Sequence, residues 1–176
     1  MRSTLEIERK YIVRSLPEGY ETHDREYIQQ GYMPSGALEK RLREAVADGT
    51  PTYVLTTKRG HGLVREEKEV VLGEAQYRKL WALTEGHRLS KIRYSIPYNY
   101  TSQGGMRDTV LIYLDKYCDS LSCLQTAEVE FKSLEHSGGF VPPPWFGKEV
   151  TADPAYSNRM LATAGLPDYH PQCGST

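Results

Sequence analysis

The sequence predicts a mainly β, α+β fold: an eight-stranded antiparallel β-barrel closed into a tunnel, with helices packed outside it. Three observations carry that expectation. Short strand-like segments follow one another with little more than turns between them, and charges recur at i and i+2 in segment after segment. Only two main segments have the apolar spacing of a helix. Many short strands joined by turns favour an antiparallel sheet that closes or nearly closes on itself.

The first strand opens at Glu6-Ile7-Glu8-Arg9-Lys10, where extended backbone puts Glu6, Glu8 and Lys10 on one face, and continues through Tyr11-Ile12-Val13. Leu16-Pro17-Glu18-Gly19 reads as a turn, and Arg25 to Tyr32 as a second strand that stops at Pro34-Ser35-Gly36. Leu38 to Ala47 and Thr52 to Lys58 flank Asp48-Gly49-Thr50-Pro51, a hairpin signal. In the first arm Arg41 and Arg43 point the same way with Leu42 opposite; in the second Lys58 shares a face with Thr56. After Gly60-His61-Gly62, Leu63 to Leu72 carries Arg65, Glu67 and Glu69 on one face, but charges on the other leave its inward side ambiguous.

Gly73 to Glu85 has Tyr77, Leu80, Trp81 and Thr84 at helical spacing, with Gly86 placed to end it. Arg88 to Pro97 is the next strand, with Lys91, Arg93 and Ser95 opposite Ile92, Tyr94 and Ile96. A loop from Tyr98 to Met106 leads to Thr109 to Tyr117, where Tyr113, Asp115 and Tyr117 share a side. Thr126 to Leu134 sets Glu128, Glu130 and Lys132 against Val129 and Phe131. Pro142-Pro143-Pro144 breaks the chain, and Ser157 caps a short helix through Met160, Leu161 and Ala164 that ends at Gly165 and Pro167. One domain over residues 1–167 with a loose tail over 168–176 is the expected organisation.

The totals narrow the function. With 22 basic against 23 acidic residues and a net charge of −1, nothing in the overall balance suggests a nucleic-acid or membrane-surface binder. No apolar run is long enough to span a bilayer and no signal-peptide core opens the chain, so a cytoplasmic location is expected. The 3 cysteines, Cys118, Cys123 and Cys173, lack CxxC spacing and read as free thiols; the 5 histidines are scattered and take no catalytic role. The sequence leaves monomer and homodimer open.

The apolar faces of these strands suit packing against helices and loops outside, which leaves the charged faces to line the interior. Two carboxylates about 7 Å apart repel by about 0.6 kcal/mol in water but by roughly 2.4 kcal/mol at an effective dielectric near 20. Glu6, Glu8, Glu128 and Glu130, with Asp115, therefore need cations inside a tunnel, and an oxygen-rich set of this kind suits Mg²⁺ or Mn²⁺. The complementary set is Lys10, Arg41, Arg43, Lys58, Lys91 and Arg93, with Arg65 and Lys132 as further candidates; together they suit a ligand of high negative charge. The structural alternative is a network of cross-strand salt bridges.

Those residues resemble the CYTH domains, also called triphosphate tunnel metalloenzymes. The ExExK stretch at Glu6, Glu8 and Lys10 is accompanied by Arg41-Leu42-Arg43, Leu55-Thr56-Thr57-Lys58, Arg65 with Glu67 and Glu69, Lys91-Ile92-Arg93-Tyr94 and Ala127-Glu128-Val129-Glu130. Pro144-Trp145-Phe146-Gly147-Lys148-Glu149-Val150-Thr151 with Tyr156 and Asn158 completes the set, so the resemblance runs from Leu5 to about Leu166. Tyr117-Cys118-Asp119 departs from it, since related chains tend to have glycine after the aromatic residue.

The resemblance implies a tunnel whose basic residues bind a triphosphate and whose carboxylates, including Glu67 and Glu69, bind divalent metal. Glu6, Glu8 and Lys10 are its catalytic residues on this reading. Short bacterial chains of this pattern look most like inorganic triphosphatases, so hydrolysis of tripolyphosphate to pyrophosphate and phosphate is the expected activity. Thiamine triphosphatase, nucleoside triphosphatase, class IV adenylate cyclase and a non-catalytic polyphosphate-binding or nucleotide-binding module stand as alternatives.

Overall fold

Asp48 and Gly49 both take positive φ, 49° and 76°, the left-handed pair that a tight antiparallel hairpin needs. They join β3 (Glu39–Ala47) to β4 (Thr50–Arg59), within a computed structural model that describes residues 4–34, 38–59 and 63–167. The remaining strands are β1 (Thr4–Val13), β2 (Arg25–Tyr32), β5 (Val64–Val71), β6 (Arg88–Thr101), β7 (Arg107–Tyr117), β8 (Gln125–Glu130) and β9 (Phe146–Glu149). They form a 9-stranded sheet in the order β5-β4-β3-β2-β6-β7-β8-β1-β9, where eight strands were expected, and every pairing is antiparallel.

β1 is the strand on which the others converge. Tyr11 lies opposite Ala127 of β8 on one edge and opposite Glu149 of β9 on the other. The earlier half of β1, Thr4 to Ile7, pairs with β5. Glu8 N–H donates to Leu63 O while Ile7 O accepts from Phe131 N–H, so β5 and β8 also lie on opposite edges of β1. β9 approaches β1 so closely that a Cβ at Gly147 would stand 2.9 Å from Ile12 O, which explains the glycine there.

β6 runs past Pro97, where a loop was expected. β2 pairs with β6 only from Arg88 to Tyr94, and Ser95 N–H points to Asp24 O on that side. Pro97 has the same parity, so its missing N–H faces an edge that β2 has already left. The strand expected over Thr126 to Leu134 instead ends at Glu130, because Ser133 caps α2 (Leu134–Gly139) by accepting from His136 N–H. Lys132 thus falls beyond the strand and is exposed, not inward as its spacing suggested.

The outer faces of β1, β6, β7 and β8 are largely apolar, as expected, whereas β5 carries the exposed charges Glu66 and Lys68 on its outer side. Tyr11, Val13, Tyr94, Ile112, Leu114 and Val129 pack under Phe131, Phe140 and Phe146 of the α2–β9 segment. α1 (Glu74–Trp81) lays Tyr77 and Trp81 over Leu42 and Tyr53, and a 3-10 turn, Ala82–Thr84, follows it where a continuous helix was expected. Arg88 closes that helix by donating to Trp81 O at 2.7 Å and Thr84 Oγ1 at 2.9 Å.

The inner faces are not charged throughout. Ile12, Leu89 and Tyr117 share parity with Lys10, Lys91 and Asp115, yet they join Val150, Tyr156 and Leu161 in an apolar cluster. The segment leading into α3 (Asn158–Ala164) therefore seats itself against one end of the charged face. Cys118 is a free thiol as expected, Cys123 is disulfide-bonded and so not the free thiol expected, and Cys173 lies outside the described residues. No helix among the described residues is long and apolar enough to cross a membrane.

Candidate active site

Strand periodicity brings most of the expected site residues into one cavity of about 1130 Å³. β1 supplies Glu6, Glu8 and Lys10; β3 Arg41 and Arg43; β4 Lys58; β5 Glu67 and Glu69; β6 Lys91 and Arg93; β8 Glu128 and Glu130. Arg65 stands in β5 opposite Glu6, and its side chain lies outside the described residues. The antiparallel register explains the proximity: directly opposed residues share a face, so Lys10 meets Glu128, Lys58 meets Glu67, Arg93 meets Asp115 and Glu8 meets Glu130.

Three of those four pairs are complementary. Lys10 Nζ lies 3.1 Å from Glu128 Oε1, and Lys58 Nζ lies 2.6 Å from Glu67 Oε1 and 3.1 Å from Glu6 Oε2. Arg93 forks onto Asp115 with two bonds of 2.7 Å and also donates to Glu128; Lys91 Nζ is 2.5 Å from Asp115 Oδ2. Asp115 is fully buried behind these two cations and does not line the cavity, so it anchors Lys91 and Arg93 instead of facing a metal as expected.

The fourth pair sets like charges opposite each other. Burial, then repulsion from Glu6 and more weakly from Glu128 and Glu67, raises the Glu130 carboxyl above the usual carboxylate range despite Arg93. Burial likewise opposes charge on Glu128, but Lys10, Lys91 and Arg93 outweigh it and hold that carboxyl well below the range. Burial and the neighbouring Arg93 lower Lys91 to about 8, whereas for Lys10 burial is outweighed by Tyr117, Glu128 and Asp115, which keep it charged.

Arg41 and Arg43 carry a second mark. Arg41 Nη2 donates to Thr56 Oγ1 at 3.1 Å and lies 3.7 Å from both Glu67 and Glu69, and Arg43 is 4.0 Å from Glu69. The Nε–H of each is buried without a hydrogen-bond acceptor. A buried donor left so costs about 1–3 kcal/mol, more when charged.

Carboxylate oxygens of Glu6, Glu8 and Glu130 are of the type a hard divalent cation takes, and a cation there would offset the repulsion at Glu130. Among the described residues, no group of three or more acidic, histidine or cysteine side chains is gathered as a metal site.

Sequence reasoning overlooked several lining residues. Glu26, Gln30 and Tyr32 share the inward parity of β2, and Glu39 that of β3, which was a usable signal. Thr151 and Asn158, which the resemblance included without a role, and Arg159 come from the segment around the start of α3 and carry no periodic signal that ties them to a strand face.

No model of a known protein family matches the chain. A curated inorganic triphosphatase of Nitrosomonas europaea is 42% identical over 159 residues, covering 89% of this chain and 96% of that protein. The crystal structure of an inorganic triphosphatase superposes with a TM-score of 0.63 at 37% identity, covering 92% of this chain and 97% of the other. A putative adenylate cyclase of Bacillus halodurans shares the fold at 18% identity, with a TM-score of 0.51 over 81% of this chain and 95% of its own.

Proposed function

Since the chain belongs to the CYTH, or triphosphate tunnel metalloenzyme, family with the inorganic triphosphatases as relatives, we propose that it hydrolyses inorganic triphosphate to pyrophosphate and phosphate in this cavity. The observation that carries the reading is the convergence of Lys10, Arg41, Arg43, Lys58, Lys91 and Arg93 with Glu6, Glu8, Glu67, Glu69, Glu128 and Glu130 on one cavity of about 1130 Å³. Salt bridges formed for stability alone need no open cavity between them.

The pairing of β1 with β5 as well as with β8 supports a closed form of the sheet. Eight strands would then ring the cavity, with β9 attached outside the ring.

Arg41, Arg43 and Lys58 would grip oxygens along the triphosphate, while Asp115 holds Lys91 and Arg93 in place to meet others. Water adds to the terminal phosphorus, the bridging P–O bond breaks and pyrophosphate leaves. Fixed cations favour this step by offsetting charge that develops on the transferring and leaving oxygens. Carboxylates outnumber lysines and arginines among the described lining residues, so a polyanion needs additional positive charge. Glu6, Glu8 and Glu130, with Glu67, Glu69 and Glu128 nearby, would hold Mg²⁺ or Mn²⁺, which supplies that charge and lowers the pKa of a bound water.

A substrate panel tests the reading: phosphate release from tripolyphosphate, ATP and thiamine triphosphate with Mg²⁺ or Mn²⁺, with cyclic AMP measured alongside. Release from tripolyphosphate well above the others is expected. Binding with no product from any of them would replace the enzyme with a binding module, and cyclic AMP from ATP would replace it with a cyclase.

A further inference from the structure

We propose that Asn158 is a positioning residue that aims the Lys10 ammonium at the triphosphate, an inference that rests on reading the cavity as a triphosphate site. Lys10 Nζ has three N–H donors and three acceptors around it: Glu128 Oε1 at 3.1 Å, Tyr117 OH at 3.3 Å and Asn158 Oδ1 at 3.4 Å. Asn158 Oδ1 also accepts from Tyr117 OH at 2.5 Å, so one amide oxygen orients both the ammonium and the hydroxyl beside it.

The same segment grips the backbone of Lys10. Lys10 N–H donates to Thr151 Oγ1 at 3.0 Å, and Lys10 O accepts from Val150 N–H at 2.8 Å. Main chain and side chain of a single site cation are thus both held by residues 140 or more positions later. The bond to Asn158 is the longest of the three, and a phosphoryl oxygen would share its N–H while the amide oxygen stays in place and keeps the ammonium aimed. Without Asn158, the ammonium is left to Tyr117 and Glu128 and draws back toward the carboxylate.

Loss of aim differs from loss of charge. In Asn158→Ala the Lys10 charge stays in the cavity and still attracts a polyanion, so KM holds while kcat, which needs the exact contact, falls. In Asn158→Asp the acceptor oxygen is kept but a carboxylate faces the polyanion, so kcat is retained and KM rises. Ser157→Ala serves as the structural control: Ser157 Oγ accepts from Met160 N–H and caps the same helix, with no bond to Lys10.

The test combines tripolyphosphate kinetics with the ¹⁵Nζ resonance of Lys10 in each variant. Expected for Asn158→Ala are a kcat loss of about tenfold or more, a KM within about threefold of wild type and a shifted resonance. Ser157→Ala should lower thermal stability while keeping kcat and the resonance. Equal kcat losses in Asn158→Ala and Ser157→Ala would reduce Asn158 to a packing residue and overturn the proposal, as would a KM increase at constant kcat in Asn158→Ala. The resonance separates the two readings: tripolyphosphate should move it in wild type whether or not turnover occurs. A fixed resonance overturns the role of Asn158, whereas a moving one without phosphate release overturns only the assigned activity.

Discussion

Replacing Glu130 by Gln should stabilise the metal-free protein while abolishing turnover. Glu130 lies opposite Glu8 in the β1–β8 register, and Glu6 is the leading charge that raises its carboxyl pKa. For neighbouring inward carboxylates about 6 Å apart, the repulsion is about 0.7 kcal/mol in water and about 2.8 kcal/mol at an effective dielectric of 20. Glu130 opens to cavity water, so screening favours the lower part of that range, about 1 kcal/mol. For a chain of this size that corresponds to a rise of roughly 2–4 °C in Tm.

The pH dependence has a definite sign. A carboxyl whose folded pKa is raised favours the folded state fully below its unfolded pKa, and that contribution is lost as pH rises through the folded value. The wild type should therefore lose stability upward from about pH 4.5 in a component that Glu130→Gln lacks. Differential scanning calorimetry with EDTA from pH 4 to pH 8, paired with phosphate release in Mg²⁺ or Mn²⁺, measures both effects. A metal-free Tm below wild type at pH 7, or full activity in the variant, would refute the assignment of Glu130 to a repulsive, cation-binding set.

Other perturbations separate substrate grip from scaffold. Arg41→Gln and Arg43→Gln each remove a cavity-lining guanidinium, so kcat/KM for tripolyphosphate should fall by about 10-fold to 150-fold, the worth of a charge-assisted hydrogen bond, with a smaller loss of Tm for Arg43, which has fewer partners than Arg41. A large Tm loss with intact kcat/KM would return these arginines to a structural role. Asp115→Asn leaves Lys91 and Arg93 without their buried counter-charge and should cost about 3–5 kcal/mol in chemical denaturation; a cost under about 1 kcal/mol would contradict its anchoring role. Lys91, lowered to about 8, binds fewer protons than the unfolded chain up to the ordinary lysine value, so it adds stability as pH rises through that window. Its loss of charge above about pH 8 should raise KM for tripolyphosphate, an increase that Lys91→Gln should lack.

Much of the scaffold was legible because periodicity and turn chemistry agreed. Arg25 to Tyr32 is a strand with the expected bounds, Asp48-Gly49 makes its hairpin, and Ser157 caps its helix. The misreadings arose where long-range contacts decide. A loop was expected from Tyr98 onward, but β6 runs on to Thr101 in pairing with β7, and Pro97 fits within it because no neighbouring strand claims the N–H it lacks. β9 is only four residues long after a proline run, and it exists through its pairing with β1.

The site divides in the same way. Alternating charges told which side chains share a face, and the cavity gathers most of them. Parity does not report depth: Asp115 and Lys91 share a face, yet Asp115 is sealed behind the cations, and Ile12 and Leu89 continue that face as an apolar seat. Asn158 was part of the family resemblance but without a role, because it belongs to a helix whose approach to Lys10 depends on the whole fold.

The central claim is tested most directly by ³¹P NMR of tripolyphosphate incubated with the protein and Mg²⁺ or Mn²⁺. Pyrophosphate and orthophosphate appearing in equal amounts, with neither formed by the Arg41→Gln/Arg43→Gln double variant, is the predicted result. An unchanged tripolyphosphate spectrum, or equal turnover by the double variant, would contradict hydrolysis in this cavity.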